Sequence, residues 1–211
     1  MRLTLHTFLT LDGVMQGPGG ADEDTSGGFE RGGWLMPYAD EGFGEIVDGW
    51  FRRADAILLG RTTYDMMFSY WSQVTDPENV VAEKLNGLPK YVASRMLADP
   101  KRQHTTVLES DVVERVRALK EQPGDELQVH GSCGLARALH AAGLIDEYRL
   151  LVFPVVVGPG KRLFTEGMPA SGFTVAESRT TAAGVTYSAL RPTALVSGGT
   201  FAVVDGKETV V

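Results

Sequence analysis

The stretch AILLGRTTY, residues 56–64, changes character abruptly at its middle. An apolar run typical of a buried strand is followed at once by a glycine, an arginine and two threonines. In an open α/β sheet, ligands bind beside the carboxyl ends of the strands, where the next helix presents backbone N–H groups that attract phosphate. The alternative is an ordinary strand end with a capped helix and a solvated arginine. The candidate phosphate-binding residues are Gly60, Arg61, Thr62 and Thr63.

The same plan recurs at LQVHGSCGLARAL, residues 127–139, where a predicted strand enters a glycine-rich turn and a helix. Small residues at such a turn let the backbone surround a pyrophosphate. The order is not G-x-G-x-x-G, so the standard dinucleotide fingerprint is absent. A third predicted strand, residues 90–94, ends at Ser94 and Arg95, which suit an isolated phosphate. The candidates at the second junction are Gly131, Ser132, Cys133 and Gly134.

Strands and helices alternate through the middle of the chain, and residues 173–181 and 184–191 form a predicted hairpin. This order predicts an α/β fold with a mainly parallel central sheet, flanking helices and an antiparallel C-terminal hairpin. The predicted domain covers residues 1–192. Residues 193–211 are predicted to be an extension that forms a hairpin or is partly disordered.

Two segments carry further expectations about shape and assembly. Residues 13–34 are rich in glycine and lack a helical period, which predicts a long loop. Residues 147–158 read as one long apolar strand, and Pro154 within it favours a sheet edge or a bulge. An exposed apolar edge is an aggregation hazard, so we expect a homodimer that covers it.

Composition excludes several classes of protein. The chain has 211 residues, a net charge of −7 and one cysteine, so a disulfide framework and a multi-cysteine zinc site are excluded. The four histidines show no metal-ligand spacing, and no metal is expected. Nucleic-acid binding is not expected, because the sequence has no basic stripe. It also has no signal peptide and no apolar run long enough for a membrane span, so we expect a soluble, cytoplasmic protein.

Four stretches together resemble a known superfamily. They are TLDGVMQGPGG at 10–20, ADAILLGRTTYDMM at 54–67, KYVASR at 90–95 and the run from LQVHG to KRLF at 127–164. Their order is similar to that of the dihydrofolate reductase-like superfamily. Within it, the chain is closest to stand-alone relatives of the reductase domain of the bifunctional riboflavin-biosynthesis deaminase/reductase. The resemblance runs from about residue 3 to 190 and leaves the C-terminal extension unexplained.

The resemblance implies an NADPH-dependent reductase that gives a hydride to a pterin-, flavin- or aminopyrimidine-like heterocycle. It places residues 60–63 on the cofactor phosphates, Ser94 and Arg95 on the 2′-phosphate, and residues 131–134 on the pyrophosphate and nicotinamide ribose. The loop with Asp12 and Gln16 would border nicotinamide and substrate. The family also commonly forms homodimers. From its place in the long loop, Trp34 is a candidate cover for a substrate ring.

Several points stay open at this level. No catalytic residue stands out except Asp12, and an aspartate in such an Asp-Gly pair is more often a turn former. The chain has no deaminase motif and no basic set for a ribosyl 5′-phosphate. Dihydrofolate reductases hold the pterin with a helix carboxylate, for which this chain offers Asp40, Glu41, Glu45 and Asp48. A non-catalytic NADP-binding sensor and a structural dimer module with a degenerate site remain the alternatives to an enzyme.

Overall fold

The computed structural model describes residues 1–100 and 102–210. The strands are β1 (Arg2–Thr10), β2 (Ala54–Gly60), β3 (Lys90–Ala93), β4 (Thr105–Leu108), β5 (Glu126–His130), β6 (Glu147–Phe153), β7 (Gly172–Thr180), β8 (Thr186–Thr193), β9 (Phe201–Val204) and β10 (Lys207–Val210). The helices are α1 (Glu41–Arg52), α2 (Arg61–Trp71), α3 (Val80–Gly87), α4 (Val112–Lys120) and α5 (Cys133–Ala141).

Eight of the strands form one sheet, in the order β4-β3-β2-β5-β1-β6-β8-β7. The strands from β4 to β6 pair in parallel, whereas β8 and β7 are antiparallel additions at one side. The predicted fold class is therefore confirmed: a mainly parallel sheet with flanking helices and an antiparallel C-terminal hairpin. Within residues 193–210, β9 and β10 make a separate two-stranded sheet; Val211 lies outside the described residues.

Helices cover both faces of the sheet, because successive side chains of each strand point to opposite sides. On one face, Leu3 and Leu5 of β1 pack in a cluster with residues of α4 and α5 such as Leu139. On the other face, α1 contributes Trp50 to a second cluster and places Phe43 against Phe153 of β6. No helix in the described part of the chain is both long and apolar enough to cross a bilayer.

Asp40 connects the start of α1 to the C-terminal hairpin. Asp40 is the N-cap, and its carboxylate accepts a hydrogen bond of 2.8 Å from the Phe43 N–H, which satisfies one of the free donors at the helix start. The carboxylate also accepts a bond of 2.7 Å from the Ala183 N–H in the turn between β7 and β8. Asp40 therefore joins α1 to the hairpin, and both of its carboxylate oxygens accept bonds from backbone N–H groups.

The prediction of one long strand over residues 147–158 is wrong in its length, and the suggestion that it lies at a sheet edge is also wrong. The strand ends at Phe153, because Pro154 has no N–H to continue the ladder. Moreover, β6 pairs with β1 on one side and β8 on the other, so it is no edge. The argument for a homodimer from an exposed apolar edge therefore fails, and the expectation of a dimer rests on the family resemblance alone.

Two further features were not foreseen. Helix α3 was missed, although Asn79 caps it by accepting a bond from Ala82 N–H and apolar Val81 and Leu85 recur at i and i+4. The predicted loop over residues 13–34 is packed: Phe29 and Trp34 are buried in the core cluster of α1 and β6. Apolar side chains that a periodicity search leaves unassigned thus anchor the loop.

A buried ion-pair cluster lies on the α1 face of the sheet. The Arg149 guanidinium, 1% exposed, reaches across β1 to the Glu126 carboxylate with N–O distances of 2.6 and 2.9 Å. It also donates to Glu147 at 2.8 Å. Pairing in register places the short Thr4 side chain of β1 beside this bridge. The cluster therefore links β5, β1 and β6 at the centre of the sheet.

We expect Arg149→Met to destabilise the protein by roughly 3–5 kcal/mol, because it leaves two carboxylates buried without this partner. Urea unfolding at pH 7 measures the effect. Arg191→Met is the matched control: Arg191 also pairs with Glu147 but its side chain is 60% exposed, and its loss should cost less than about 1 kcal/mol. Equal stability of the two variants would contradict a central role for Arg149.

Candidate functional site

A cavity of about 1050 Å³ lies at the carboxyl ends of β1, β2 and β5, and we call it the cleft. Its walls come from α1, α2, the start of α5 and the loop around residues 15–24. Ligand pockets commonly measure roughly 300–1,000 Å³, so the cleft is slightly larger than that range. Its place at the carboxyl edge of parallel strands is the usual position of an α/β binding site.

The starts of α2 and α5 are tied together at the cleft by Ser132. Its hydroxyl oxygen accepts a hydrogen bond of 2.7 Å from the Gly60 N–H, and its O–H donates to Thr63 Oγ1 at 2.8 Å. Ser132 has left-handed backbone angles as the N-cap of α5. One side chain therefore fixes the spacing of two helix N-termini that face the same space.

The glycines of this region serve different purposes. A Cβ on Gly60 would lie 3.0 Å from Ser132 Oγ, so the close approach of the two turns needs a glycine there. Gly131 has a φ of +57°, which favours glycine on backbone grounds. Gly134, by contrast, has open space where its Cβ would be. The absent side chain of Gly134 leaves the N-terminal turn of α5 accessible from the cleft.

Most residues proposed from the sequence come together at the cleft. Ser94, Arg95, Asp12 and Trp34 do not line it. The predicted residues that do line it are Gly60, Arg61, Thr62, Thr63, Gly131, Ser132, Cys133, Gly134 and Gln16.

Ser94 and Arg95 follow β3, which pairs with β2, so they lie one strand away from the Gly60 turn. The Ser94 hydroxyl oxygen accepts bonds from the N–H groups of Met96 and Leu97 at 3.2 and 3.1 Å. Arg95 is exposed. Ser94 and Arg95 therefore lie outside the cavity, at the carboxyl end of β3, on the side of β2.

Asp12 has a structural task in this fold. Its carboxylate accepts bonds from the Thr10 hydroxyl and from the Gly158 N–H at 2.8 Å, and it pairs with Arg162 at 3.3 Å. Burial would raise the pKa of Asp12, but the bonds from Thr10 and Gly158 outweigh it and lower the pKa. The side chain holds the turn at residues 157–158 rather than facing the cleft.

Gln16 and Trp34 also support the loop. The Gln16 amide donates to Ser26 O at 2.9 Å and accepts from the Lys161 N–H at 3.0 Å. Trp34 donates its indole N–H to Gln16 O at 2.8 Å and is buried in the core. The structure thus gives Trp34 no free ring face over the cleft, whereas Gln16 stays at its wall.

Cys133 is a thiol held in place. Its Sγ lies 3.1 Å from Arg162 O, and burial raises its pKa. This is opposite to the lowered pKa that a helix start can give a cysteine. Cys133 therefore lines the cleft as a small, unreactive group.

None of the acidic residues proposed on α1 faces the cleft. Asp40 caps the helix, and Asp48 pairs with Arg52 at 3.4 Å. Glu41 and Glu45 lie by the β7–β8 turn. The side chains that α1 presents to the cleft are Val47, Trp50 and Phe51. Among the described residues of α1 and its N-cap, no carboxylate therefore faces the cleft in the way proposed for holding a pterin.

One part of the cleft was not predicted from the sequence. We call it the inner end and define it by His6, Phe8, Val47, Trp50, Phe51 and Leu85. His130 lies beside it, with its ring stacked on Phe51 at 4.5 Å and on His6 at 4.9 Å. His130 Nε2 bonds to Gln128 Oε1 at 3.0 Å. Alternation along β1 and β5 puts these histidines on the face of α1, a signal that the sequence contained.

Both histidines are neutral at physiological pH. Burial, followed by the nearby Arg149 charge, lowers the pKa of His130 to about 3. Burial and then His130 lower the pKa of His6 well below its ordinary value. In the part of the chain that the structure describes, the charged side chains that line the cleft lie on the loop, at the start of α2 and after the 157–160 turn. Among the described residues, no group of histidine, cysteine and carboxylate side chains could hold a metal ion.

Comparison with solved structures defines the class of protein. Dihydrofolate reductase from Enterococcus faecalis, complexed with NADP(H), aligns with a TM-score of 0.59 at 12% identity, over 90% of this chain and 96% of that enzyme. A protein from Shewanella sp. PV-4 aligns with a TM-score of 0.65 at 20% identity, over 92% of this chain and 99% of the other. The fold is therefore dihydrofolate reductase-like.

The family follows from the sequence match. The chain belongs to the RibD C-terminal domain family, whose sequence model matches residues 2–187. The YyaP protein of Bacillus subtilis is 29% identical over 186 residues, which are 87% of this chain and 91% of YyaP. The resemblance proposed from the sequence is thus confirmed, and the chain is a member of a reductase family.

The buried histidines lead to a prediction about acid stability. In the unfolded chain His130 takes up a proton as the pH falls below about 6.5, whereas the folded protein resists this until about pH 3. Stability is therefore lost as the pH falls through that window. Between pH 6 and 5, we expect His130→Gln to reduce the pH slope of the unfolding free energy by about 1 kcal/mol per pH unit. Urea unfolding at both pH values measures the slope; an unchanged slope would contradict a neutral His130.

Proposed function

We propose that this protein is an NADPH-dependent reductase that transfers a hydride to a small, flat substrate. The observation that carries the proposal is the paired N-termini of α2 and α5, held together by Ser132 at one side of the cleft. Free N–H groups at a helix start carry partial positive charge. Two such ends at one site suit a pyrophosphate, which carries its negative charge on two neighbouring phosphates.

The residues present fit the cofactor. Open space at Gly134 leaves room for a pyrophosphate against α5, and residues 60–63 supply N–H groups, hydroxyls and the Arg61 charge. Arg61 is half-exposed and pairs with Asp65 on its own helix, a contact that a phosphate can replace. We assign Ser94 and Arg95 to the 2′-phosphate, at the end of the strand next to β2. The related fold of the Enterococcus faecalis enzyme, which is complexed with NADP(H), supports the choice of cofactor.

The chemistry divides between cofactor and protein. When bound, NADPH supplies the hydride. The protein positions the two partners and excludes water with the apolar side chains of the inner end. His6 and His130 do not act as charged imidazolium acids, because burial lowers the pKa of each. Neither histidine is therefore the source of the product's proton, which we assign to solvent at the open side of the cleft.

Gly134→Val tests the cofactor site directly, because a side chain would fill the space left open at the start of α5. We expect a loss of NADPH affinity of at least tenfold by calorimetry and a matching loss of NADPH oxidation with any quinone, flavin, pterin or aminopyrimidine that supports it. Gly49→Val is the matched control: this glycine is also helical and has open space around it, but it does not line the cleft.

Unchanged NADPH affinity in the Gly134 variant would contradict the proposed cradle. Tight NADPH binding by the wild type without oxidation by any compound of the panel would instead favour the non-catalytic sensor. Gly131 is not used in this test, since its positive φ makes any side chain there costly for the fold itself.

Cofactor choice depends on Arg95 in this proposal. NADPH differs from NADH by the 2′-phosphate, and a protein with net charge −7 must attract that group by local donors. A charge-assisted bond contributes roughly 1.5–3 kcal/mol, or about tenfold to a hundredfold in affinity. We expect Arg95→Ala to weaken NADPH at least tenfold and leave NADH unchanged, as measured by calorimetry. Arg52→Ala, an exposed arginine on α1, should change neither; equal losses for both cofactors would move Arg95 to the pyrophosphate.

A further inference from the structure

The inner end of the cleft is apolar and uncharged. Helix α1 presents Val47, Trp50 and Phe51 to it, and Phe8 of β1 and Leu85 of α3 complete the wall. The charged side chains that line the cleft, among the described residues, are Asp22, Glu23, Asp24, Arg61 and Lys161, and none of them belongs to this end. A charged substituent placed here would lose its hydration without gaining a partner.

His6 provides one polar atom at this end. Its ring is 1% exposed and lies between His130, stacked at 4.9 Å, and the edge of Trp50, at 4.8 Å. Its Nε2 is 2.9 Å from Thr4 Oγ1. Its Nδ1 is buried and has no hydrogen-bond partner within the described residues. An unsatisfied buried polar atom costs about 1–3 kcal/mol, so a ligand that satisfies it gains that much in affinity.

The contact with Thr4 determines which ring nitrogen carries the proton. Thr4 is fully buried, and its hydroxyl has His6 Nε2 as its hydrogen-bond partner in the described chain. A buried O–H must be donated to avoid a penalty, so the hydroxyl donates and Nε2 accepts. A neutral imidazole carries a single N–H. His6 Nδ1 therefore bears the hydrogen and is a donor.

The direction of this donor follows from the ring. Thr4 precedes His6 on the same face of β1, so Nε2 points back along the strand. The two nitrogens lie on opposite sides of the imidazole, so Nδ1 points away from Thr4, and His6 is one of the residues that line the cleft. A ligand at the inner end meets a hydrogen-bond donor in an otherwise apolar, aromatic surrounding.

We propose that the inner end of the cleft binds an uncharged, flat aromatic compound whose carbonyl oxygen accepts a hydrogen bond from His6 Nδ1. The proposal names a substrate class for the reductase proposed above and rests on that function for the reaction, but its binding test is independent of it. A pterin bound through a helix carboxylate and a phosphorylated aminopyrimidine both need charged partners that this end lacks. His6 adds no charge, because burial lowers its pKa, and the Arg149 guanidinium near it is already paired with Glu126 and Glu147.

Three ligands with one ring system test the proposal in the wild-type protein. 9-Fluorenone is flat and uncharged and has a single carbonyl group; fluorene lacks the oxygen; 9-fluorenone-2-carboxylate adds a charge. We expect equilibrium dialysis to show that fluorenone binds at least tenfold more tightly than either of the other two. Equal binding of fluorenone and fluorene, tighter binding of the carboxylate, or no binding of fluorenone up to its solubility would each overturn the proposal.

A pair of variants assigns the preference to His6. His6→Phe keeps an aromatic ring but removes the donor, so the ratio of fluorenone to fluorene affinity should fall to about one. His140→Phe is the matched control: His140 is also buried, but it bonds to Tyr148 on the opposite face of the sheet, and the ratio should stay as in the wild type. Because each ratio is measured within one variant, a general loss of stability affects both ligands alike. A ratio that persists in His6→Phe would overturn the assignment.

NADPH calorimetry on the same samples separates this proposal from the function proposed above. Fluorenone selectivity without NADPH binding would support the aromatic site and contradict the reductase. NADPH binding without fluorenone selectivity would leave the cofactor site intact and overturn the substrate class.

Discussion

The Arg149 guanidinium, buried between two carboxylates on the α1 face of the sheet, is the constraint on which the cleft depends. Glu126, which it holds at 2.6 Å, also accepts a bond of 2.7 Å from the Gln128 amide, and the same amide bonds to His130. A chain of buried polar groups therefore runs up β5 to the base of the cleft. Each member fixes the next, since an unmade bond in this interior is costly. The chain ends at His130, whose ring is oriented by its bond to Gln128.

At the open side of the cleft a second short network has the same effect on the backbone. The Ser132 hydroxyl joins the Gly60 N–H to the Thr63 side chain, so the starts of α2 and α5 cannot move apart independently. The cleft thus has two unlike parts: a polar edge of helix N-termini that suits phosphate, and an apolar inner end beside neutral histidines. This division matches a reaction in which a charged cofactor meets an uncharged substrate.

Much of this site follows from local sequence. The apolar runs ending in Gly60 and in the Gly131 turn predicted two strand–helix junctions, and parallel strands necessarily bring such junctions to one edge. The positions of Asp12 and Trp34 have a common cause: the loop folds back, so that Asp12 binds the Gly158 turn and Trp34 enters the core. Such contacts join residues far apart in the chain, so the periodicity of a local stretch of sequence does not predict them.

The sequence by itself determined the α/β class, the family and the glycine turns at the ends of β2 and β5, because alternation, strand ends and small residues are local properties. Only the tertiary structure decided that β6 is an internal strand, that α1 turns its carboxylates away from the cleft, and that His6 meets Thr4 with one nitrogen and leaves the other unpaired. These outcomes depend on which faces of the strands and helices pack together. That packing is determined by the burial of apolar side chains from segments far apart in the chain.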